Sequence, residues 1–485
     1  MKFTIFLHSF LLLFSISLYA QPKQEIRAIW LTTNYGLDWP SRPIRSAVDI
    51  ELQKSELCNI LDKIQESKMN VVFFQTRIRG DVIYPSEIEP WSRFVTRSYD
   101  AVSDYDPLKF AIEACHQRGL ECHAWFVVYP MGKVKLINRD VNGNDRHLTK
   151  DIGGEFYLDP GKPDTSQYLL MLINEMVKKY DLDGIHFDYI RYPDKADAFP
   201  DYKTYSEYGE SKNLRDWRRE NINEFVYQAY DNVKALKPWV QVSSSVVGVY
   251  EKVASNRPYR TAFYEVYQDP IDWVAKGKHD FIVPMMYYSG DLFYNAIDNW
   301  KKNSNDRWIV PGVGVYLLDE KSKNWHAEVI LDQIDFCRKN EFAGAAYFRA
   351  QQLIENKKGV FSEIGNQFYQ YPATLPPLTW LDDRPPLAPS APIAKMSKNS
   401  VLLSWEKPKD EEKEVFYNVY YSQSDSVDIS NPQNLLATRL KEPNLLMGVR
   451  DGEAYYYVVT ASDRYRNESK PSESIYFRAG SYVTR

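Results

Sequence analysis

Cysteine is scarce: Cys58, Cys115, Cys122 and Cys337 are the four in a chain of 485 residues. They share no metal-ligand spacing, so neither a disulfide framework nor a zinc ribbon holds this protein together. Cys115 and Cys122 read as two thiols packed across a helix-to-strand turn. An excess of one charge is missing as well. Sixty Lys and Arg against 65 Asp and Glu leave a net charge of −5, which offers no basic field to nucleic acid or an anionic membrane. The apolar run from Phe10 to Leu18 is too short to span a bilayer. It follows Lys2 and precedes Ala20, the pattern of a secretory signal over residues 1–20 with cleavage before Gln21. No Cys follows it, so a lipid anchor is not indicated, and the mature chain is expected to be secreted or periplasmic. The sequence also lacks a phosphate loop, a Gly-x-Ser-x-Gly elbow and a His-Glu-x-x-His pair.

Aromatic residues are plentiful. Tyr, Trp and Phe number 36, 12 and 23 and make up 15% of the chain, in a composition 44% apolar and 26% charged. That is a folded, globular composition, and the length predicts roughly two to four domains. From residue 21 to 371, short apolar runs alternate with longer amphipathic segments. The strands fall at Ile26 to Thr32, Asn70 to Thr76, Glu121 to Val128, Gly184 to Tyr189, Val240 to Val246, Phe281 to Tyr287, Trp308 to Gly314 and Ala343 to Phe348. Each is followed by a helical pattern. Eight such units predict an α/β fold, a (β/α)8 barrel, rather than an open doubly wound sheet. Seven prolines between Tyr371 and Pro392 mark an extended linker over residues 372–387. Over 388–485 the period becomes two, predicting a small all-β sandwich. Trp405 and the run Tyr455, Tyr457, Val459, Ala461 resemble a fibronectin type III module. The resemblance implies a corner hydrogen bond from Tyr455, and the module reads as a spacer dispensable for chemistry.

In such a barrel the active site lies at the carboxyl ends of the strands. Strand four, Gly184-Ile-His186-Phe-Asp188-Tyr-Ile-Arg191-Tyr-Pro193, puts Asp188 at its top with His186 on the same face two residues below. Asp183, at the strand's entrance, reads as a turn residue. The strand-four run resembles the glycosyl hydrolase-like family 10. So do Phe74-Gln75-Thr-Arg77-Ile-Arg-Gly80-Asp81 leading to Pro90-Trp91, His123-Ala-Trp125, and Arg27-Ala-Ile-Trp30. The resemblance implies a secreted barrel that cleaves glycan strands, peptide-free peptidoglycan among them. Two positions depart from the family pattern: Val127 and Met285 stand where polar pocket residues are usual.

Glycoside hydrolysis normally takes two carboxyl groups. Asp188 is the first, as nucleophile or general base, with Arg191 keeping it ionised. Asp81 is the candidate second, with Glu87 and Asp269 as competitors, although Asp269-Pro270 reads as the start of a helix. Gln75, Arg77, His123, Trp125, His186, Arg191 and Tyr287 are the candidate substrate-binding residues. His123 and His186 are expected as a hydrogen-bonded pair orienting Asp188 rather than as metal ligands. Trp125, Tyr287, Tyr288, Tyr316 and Tyr347 are candidate sugar platforms. No cofactor or metal is expected, and the expected partner is a polysaccharide or glycan, with no obligate protein partner. The rival from a different class is a glycan-binding protein that kept the barrel and lost catalysis.

Overall fold

The computed structural model describes residues 21–480 except 99–104, 134–136, 140–144, 210, 398 and 409–413. The expected signal segment, residues 1–20, lies outside the described residues. Eight parallel strands close into a barrel: β1 Ile26–Leu31, β2 Val71–Arg77, β3 Glu121–Val127, β4 Gly184–Asp188, β5 Gln241–Val247, β6 Phe281–Met285, β7 in two pieces at Trp308–Ile309 and Gly312–Val313, and β8 Gly344–Tyr347. Strand β1 pairs with β2 and, through Ile26 and Gly344, with β8, which closes the ring. The break in β7 falls at Pro311, which has no N–H to give the ladder.

The strands are buried on both faces, which is why stretches such as Val71 to Phe74 read as unbroken apolar runs. Alternate residues serve different cores. Ala28, Trp30, Phe73, Trp125, Phe281 and Val283 fill the interior of the barrel, while Ile29, Leu31, Val72, Phe74, Phe126 and Phe187 meet the surrounding helices. The helices are α1 Ala47–Glu66, α2 Pro107–His116, α3 Pro163–Lys179, α4 Leu214–Leu236, α5 Pro270–Ala275, α6 Asp291–Lys302, α7 Ala327–Lys339 and α8 Val360–Gln367. Their starts follow capping chemistry: the Asp106 carboxylate accepts from the Lys109 amide at 3.0 Å with Pro107 in the first turn, and Asn213 accepts from Asp216 at 3.0 Å. All four cysteines are free thiols. Among the described residues no helix is long and apolar enough to cross a membrane.

Residues beyond the barrel form two antiparallel sheets. One joins β9 Ile393–Ser397, β10 Ser400–Ser404 and β13 Asn444–Gly448. The other joins β12 Leu435–Leu440, β11 Phe416–Ser422, β14 Ala454–Ser462 and β15 Ile475–Arg478. Val401, Leu403, Trp405, Tyr417, Val419, Tyr457 and Val459 pack between them, an arrangement compatible with a fibronectin-like module. The expected corner bond is absent: the Tyr455 ring lies edge-on to Tyr421 at 5.1 Å, and its hydroxyl makes no hydrogen bond among the described residues.

The sandwich docks on the amino-terminal ends of the barrel strands, the face opposite the one that carries active sites in this architecture. The Arg466 guanidinium grips Glu121 at the base of β3 in a two-point pair, with Nε to Oε1 at 3.0 Å, and Arg439 pairs with Asp183 below β4. Arg464 reaches Asp181 at 2.7 Å, and Lys23 reaches Glu468 at 2.5 Å. Asp183 is therefore an ionic hub and not the turn residue expected. Its Oδ2 also receives the Cys122 amide and lies 2.8 Å from His116 Nε2. The proline-rich segment is laid into this interface and turns at Leu378, whose carbonyl accepts from the Leu381 and Asp382 amides at 2.8 and 3.2 Å. The Leu378 amide donates to the Tyr465 carbonyl at 2.9 Å, and the Trp380 indole donates to Asp280 at 3.0 Å.

Candidate active site

At the carboxyl ends of the strands opens a cleft of about 680 Å³. Its floor is aromatic. Trp30, Trp125, Tyr287 and Phe348 line it, and Phe348 is the common neighbour, with ring centroids 5.9 Å from Trp30, 6.3 Å from Trp125 and 5.9 Å from Tyr287. Asp188, the last residue of β4, sits among these rings, 7% exposed. Its Oδ2 accepts the Trp125 indole N–H at 3.1 Å and its Oδ1 accepts the Tyr189 amide at 2.7 Å. Burial pushes its pKa above the ordinary Asp value, and the Tyr189 amide, Arg191 and Trp125 offset only part of that rise. Tyr189 holds a left-handed backbone, φ 49°, unusual for a bulky residue and consistent with strain concentrated where Asp188 is aimed.

Arg191 lines the cleft but bonds elsewhere. Its Nη1 donates to Asp194 at 2.7 Å and to the Tyr192 carbonyl at 3.1 Å, and its plane lies over the Tyr189 ring. It acts on Asp188 through space only, too weakly to keep the carboxyl's pKa at or below its ordinary value. Gln75 is on the cleft wall. Its Oε1 accepts from Thr32 Oγ1 at 2.7 Å and from the Thr33 and Asn34 amides, both at 3.0 Å, so Nε2 is the amide atom left without a protein partner among the described residues.

His186 lies one layer down. Its Nε2 accepts the Trp30 indole N–H at 3.0 Å and is 2.7 Å from Ser245 Oγ, and its Nδ1 faces Ser243 Oγ at 2.9 Å. An indole N–H can only donate, so Nδ1 carries the hydrogen. Burial, then His123 and His279, holds the pKa well below the usual histidine value, and the ring is neutral. His186 thus positions Trp30 and Ser245, which line the cleft. His123 is deeper still. Its Nε2 meets Glu121 at 3.0 Å, and its ring lies edge-on to Phe73 at 5.7 Å while His186 stacks on Phe73 at 3.9 Å, so the expected hydrogen-bonded histidine pair does not form. Gly184 is required here, because a Cβ would fall 2.4 Å from His123 Nδ1.

Two further expectations are not met at the cleft wall. Arg77 is fully buried and braces the loop after β2: it pairs with Glu89 at 2.6 and 2.7 Å and donates to the carbonyls of Val127 and Val128. Asp81 lies in the same loop, buried, its Oδ1 capping the Arg79 amide at 3.0 Å. Neither lines the cleft, and Asp81 is not brought together with Asp188 there. Of the competitors, Glu87 is exposed in a separate groove beside Glu175, and Asp269 caps α5. Tyr347 faces the helix layer, its hydroxyl 2.6 Å from that of Tyr369, and the next residue, Phe348, lines the cleft instead. Tyr288 is on the wall, and Tyr316 packs edge-on to Tyr287 at 5.5 Å.

The described carboxylates that do line the cleft with Asp188 are Glu155 and Asp194. Burial would raise the Asp194 pKa, but Arg260 at 2.5 Å and Arg191 bring it below the ordinary value. Glu155 comes from the long β3–α3 connection. It follows Gly153 and Gly154, both at positive φ, in a tight turn closed by the Ile152 amide and the Glu155 carbonyl at 2.8 Å. Its carboxylate is half exposed, with Arg79 at 3.6 Å. The Gly-Gly pair before an acid is the sequence signal that marks this turn. Ser243 and Ser245, two apart on β5, are the signal for the His186 partners.

Comparison with known proteins agrees with this architecture. Residues 25–328 match the family described as glycosyl hydrolase-like 10. Glycosyl hydrolase YngK of Bacillus subtilis is 31% identical over 488 residues, covering 94% of each chain. Glycosyl hydrolase DigH of Escherichia coli K12 is 30% identical over 337 residues, covering 62% of this chain and 76% of DigH. Among solved structures, the glycoside hydrolase domain of PgaB (BpsB) from Bordetella bronchiseptica superposes with a TM-score of 0.50 at 14% identity, covering 70% of this chain and 98% of that domain, a likeness of fold alone. With the barrel, the aromatic cleft and a match across most of the barrel sequence in hand, the chain belongs to the glycosyl hydrolase-like 10 family.

Proposed function

We propose that this protein hydrolyses glycosidic bonds in a glycan. The observation that carries the reading is Asp188, a carboxyl with a raised pKa held on two hydrogen bonds at the floor of an aromatic cleft. A carboxyl that stays protonated to higher pH is suited to give its proton to the departing glycosidic oxygen, and the indole and amide donors then stabilise the carboxylate left behind. Asp188 is therefore assigned as general acid rather than as the nucleophile or base suggested by sequence. The second carboxyl is Glu155. Asp194 is engaged by two arginines, whereas Glu155 faces the cleft from a glycine turn that can bring it to a water or to the anomeric carbon. Trp30, Trp125, Tyr287 and Phe348 supply flat faces for the sugar ring, and the Gln75 amide supplies a donor for a hydroxyl.

Peptide-free peptidoglycan strands are the first substrate to test, beside neutral and mucin-type glycans. The test is the release of new reducing ends by the wild-type chain and by Asp188→Asn and Glu155→Gln. Cleavage by the wild type and its loss in both variants is the expected result. Glycan binding with no reducing ends from any substrate would decide for the non-catalytic alternative. The pattern of residues 1–20 supports a secreted or periplasmic setting, and the docking of the described part of the sandwich away from the cleft supports a module without chemistry of its own.

A further inference from the structure

A second groove lies beside the cleft on the same face of the barrel. Its walls are the β4–α4 loop from Asp194 to Ala198 and the β5–α5 loop at Lys252, Tyr264 and Glu265, with Arg215 of α4 at its side; its volume is about 740 Å³. Asp194 belongs to both cavities. One loop therefore leads outward from the reacting carboxyl: Asp188, Tyr189, Arg191 and Pro193 face the cleft, Asp194 stands at the junction, and Lys195 begins the groove. The six steps from Asp188 to Asp194 span at most ~20 Å, a reach of a few sugar rings.

The groove is polar and balanced in charge. Asp194, Asp197 and Glu265 face Lys195, Arg215 and Lys252, and two of the acids are held locally, Asp197 by the Tyr267 hydroxyl at 2.9 Å and Glu265 by the Thr261 amide at 2.7 Å. Tyr264 is 45% exposed. Its ring is backed by Phe263 at 5.0 Å, and Phe263 in turn lies under the Arg219 guanidinium at 3.8 Å. A buttressed, open aromatic in a groove with as many basic as acidic side chains suits a sugar chain that is uncharged or, like peptide-free peptidoglycan with one lactyl carboxylate per disaccharide, sparsely charged, better than an ion or a highly charged polymer.

We infer that this groove is a distal subsite that takes the continuation of a neutral or N-acetylated amino-sugar polymer whose scissile bond lies at Asp188, with Tyr264 as its stacking platform. The inference rests on the hydrolase reading above and gives that site a preference for long chains. The test uses a ladder of chito-oligosaccharides and of peptide-free peptidoglycan fragments, from disaccharide upward, with the wild type and Tyr264→Ala. Calorimetric affinity should step up once the chain is long enough to pass Asp194, and Tyr264→Ala should remove that step, weakening long ligands roughly tenfold while changing the shortest less than about twofold. If the wild type cleaves, kcat/KM should follow the same split. Affinity that does not depend on length, an equal loss on short and long ligands, or no binding to either ladder would overturn the subsite. Absence of cleavage with the length step intact would sink the hydrolase reading and leave the groove standing as a glycan site.

Discussion

Replacing Arg466 by Ala removes the two-point partner of Glu121, whose side chain is almost completely buried beneath β3. A buried carboxylate stripped of its closest cation costs up to about 3–5 kcal/mol, more than the pair itself contributes, because the charge left behind has no solvent and only Arg439, at 3.5 Å, still offsets part of it. For a chain of 485 residues the unfolding entropy is about 1 kcal/mol/K, so the melting temperature should fall by up to about 3–5 °C. Burial alone would raise the Glu121 pKa, but Arg466, then Arg439 and the His123 bond, hold it far below the carboxylate range. A depressed pKa gives stability that is present above the unfolded value, about 4.3, and lost as the pH falls toward the folded one. The gap between wild type and variant should therefore be full at pH 7 and shrink below about pH 4. Adding Glu121→Gln removes the orphaned charge, and the double variant should recover most of the loss. Scanning calorimetry at several pH values, with turnover at 25 °C as a control for the distant cleft, measures all of this. A double variant that melts at the sum of the two single losses would refute the argument, since the penalty would then not be the uncompensated charge.

Asp188→Asn should abolish reducing-end release with a melting temperature within a few degrees of wild type. In the wild type, activity should fall as the pH rises through the raised Asp188 pKa, and an activity that rises there instead would remove the general-acid assignment. Arg77→Met leaves Glu89 buried without its cation and should cost about 3–5 kcal/mol in denaturant titration; a higher KM with unchanged stability would mean that Arg77 binds substrate after all. The His186 ring should show no protonation between about pH 5 and 8 in a nitrogen-detected NMR titration, and a midpoint in that window would contradict the neutral tautomer. A chain ending near Pro376 loses Arg439, Arg464 and Arg466 from below the barrel. It should melt several degrees lower yet turn over a small soluble substrate at low temperature, and loss of turnover in a folded truncation would mean that the sandwich reaches the site.

The barrel was legible because its strands are buried on both faces: runs such as Val71 to Phe74 leave no other element to form, and the eight observed strands lie within a residue or two of those read from sequence. Asp188 and Trp125 were legible for the same reason, since strand parity fixes which residue at a strand end points inward. Parity failed by one residue at Tyr347, where β8 ends and Phe348 takes the cleft position. It failed differently at Arg77 and His123. Both lie on barrel strands, but a guanidinium that finds Glu89 twelve residues later, or an imidazole that finds Glu121 beneath it, is used up before any ligand arrives. Asp81 and Glu155 belong to loops, where no period exists to say which acid faces the cleft. The arginines of the sandwich were invisible as partners of Glu121 and Asp183, because nothing in a sequence pairs residues about 250 to 350 positions apart.

The seating of the sandwich also settles how the molecule would stand on a support. Gln21 donates to the carbonyls of Tyr371 and Pro372, and Lys23 and Glu25 lace to Thr374, all at the barrel's underside. A tether grafted ahead of Gln21 would leave from that underside, so a bead or surface carrying the protein this way would hold it upright with the sandwich toward the support. Every copy would turn its aromatic cleft outward, where insoluble or very long glycans can be drawn across it without meeting the anchor.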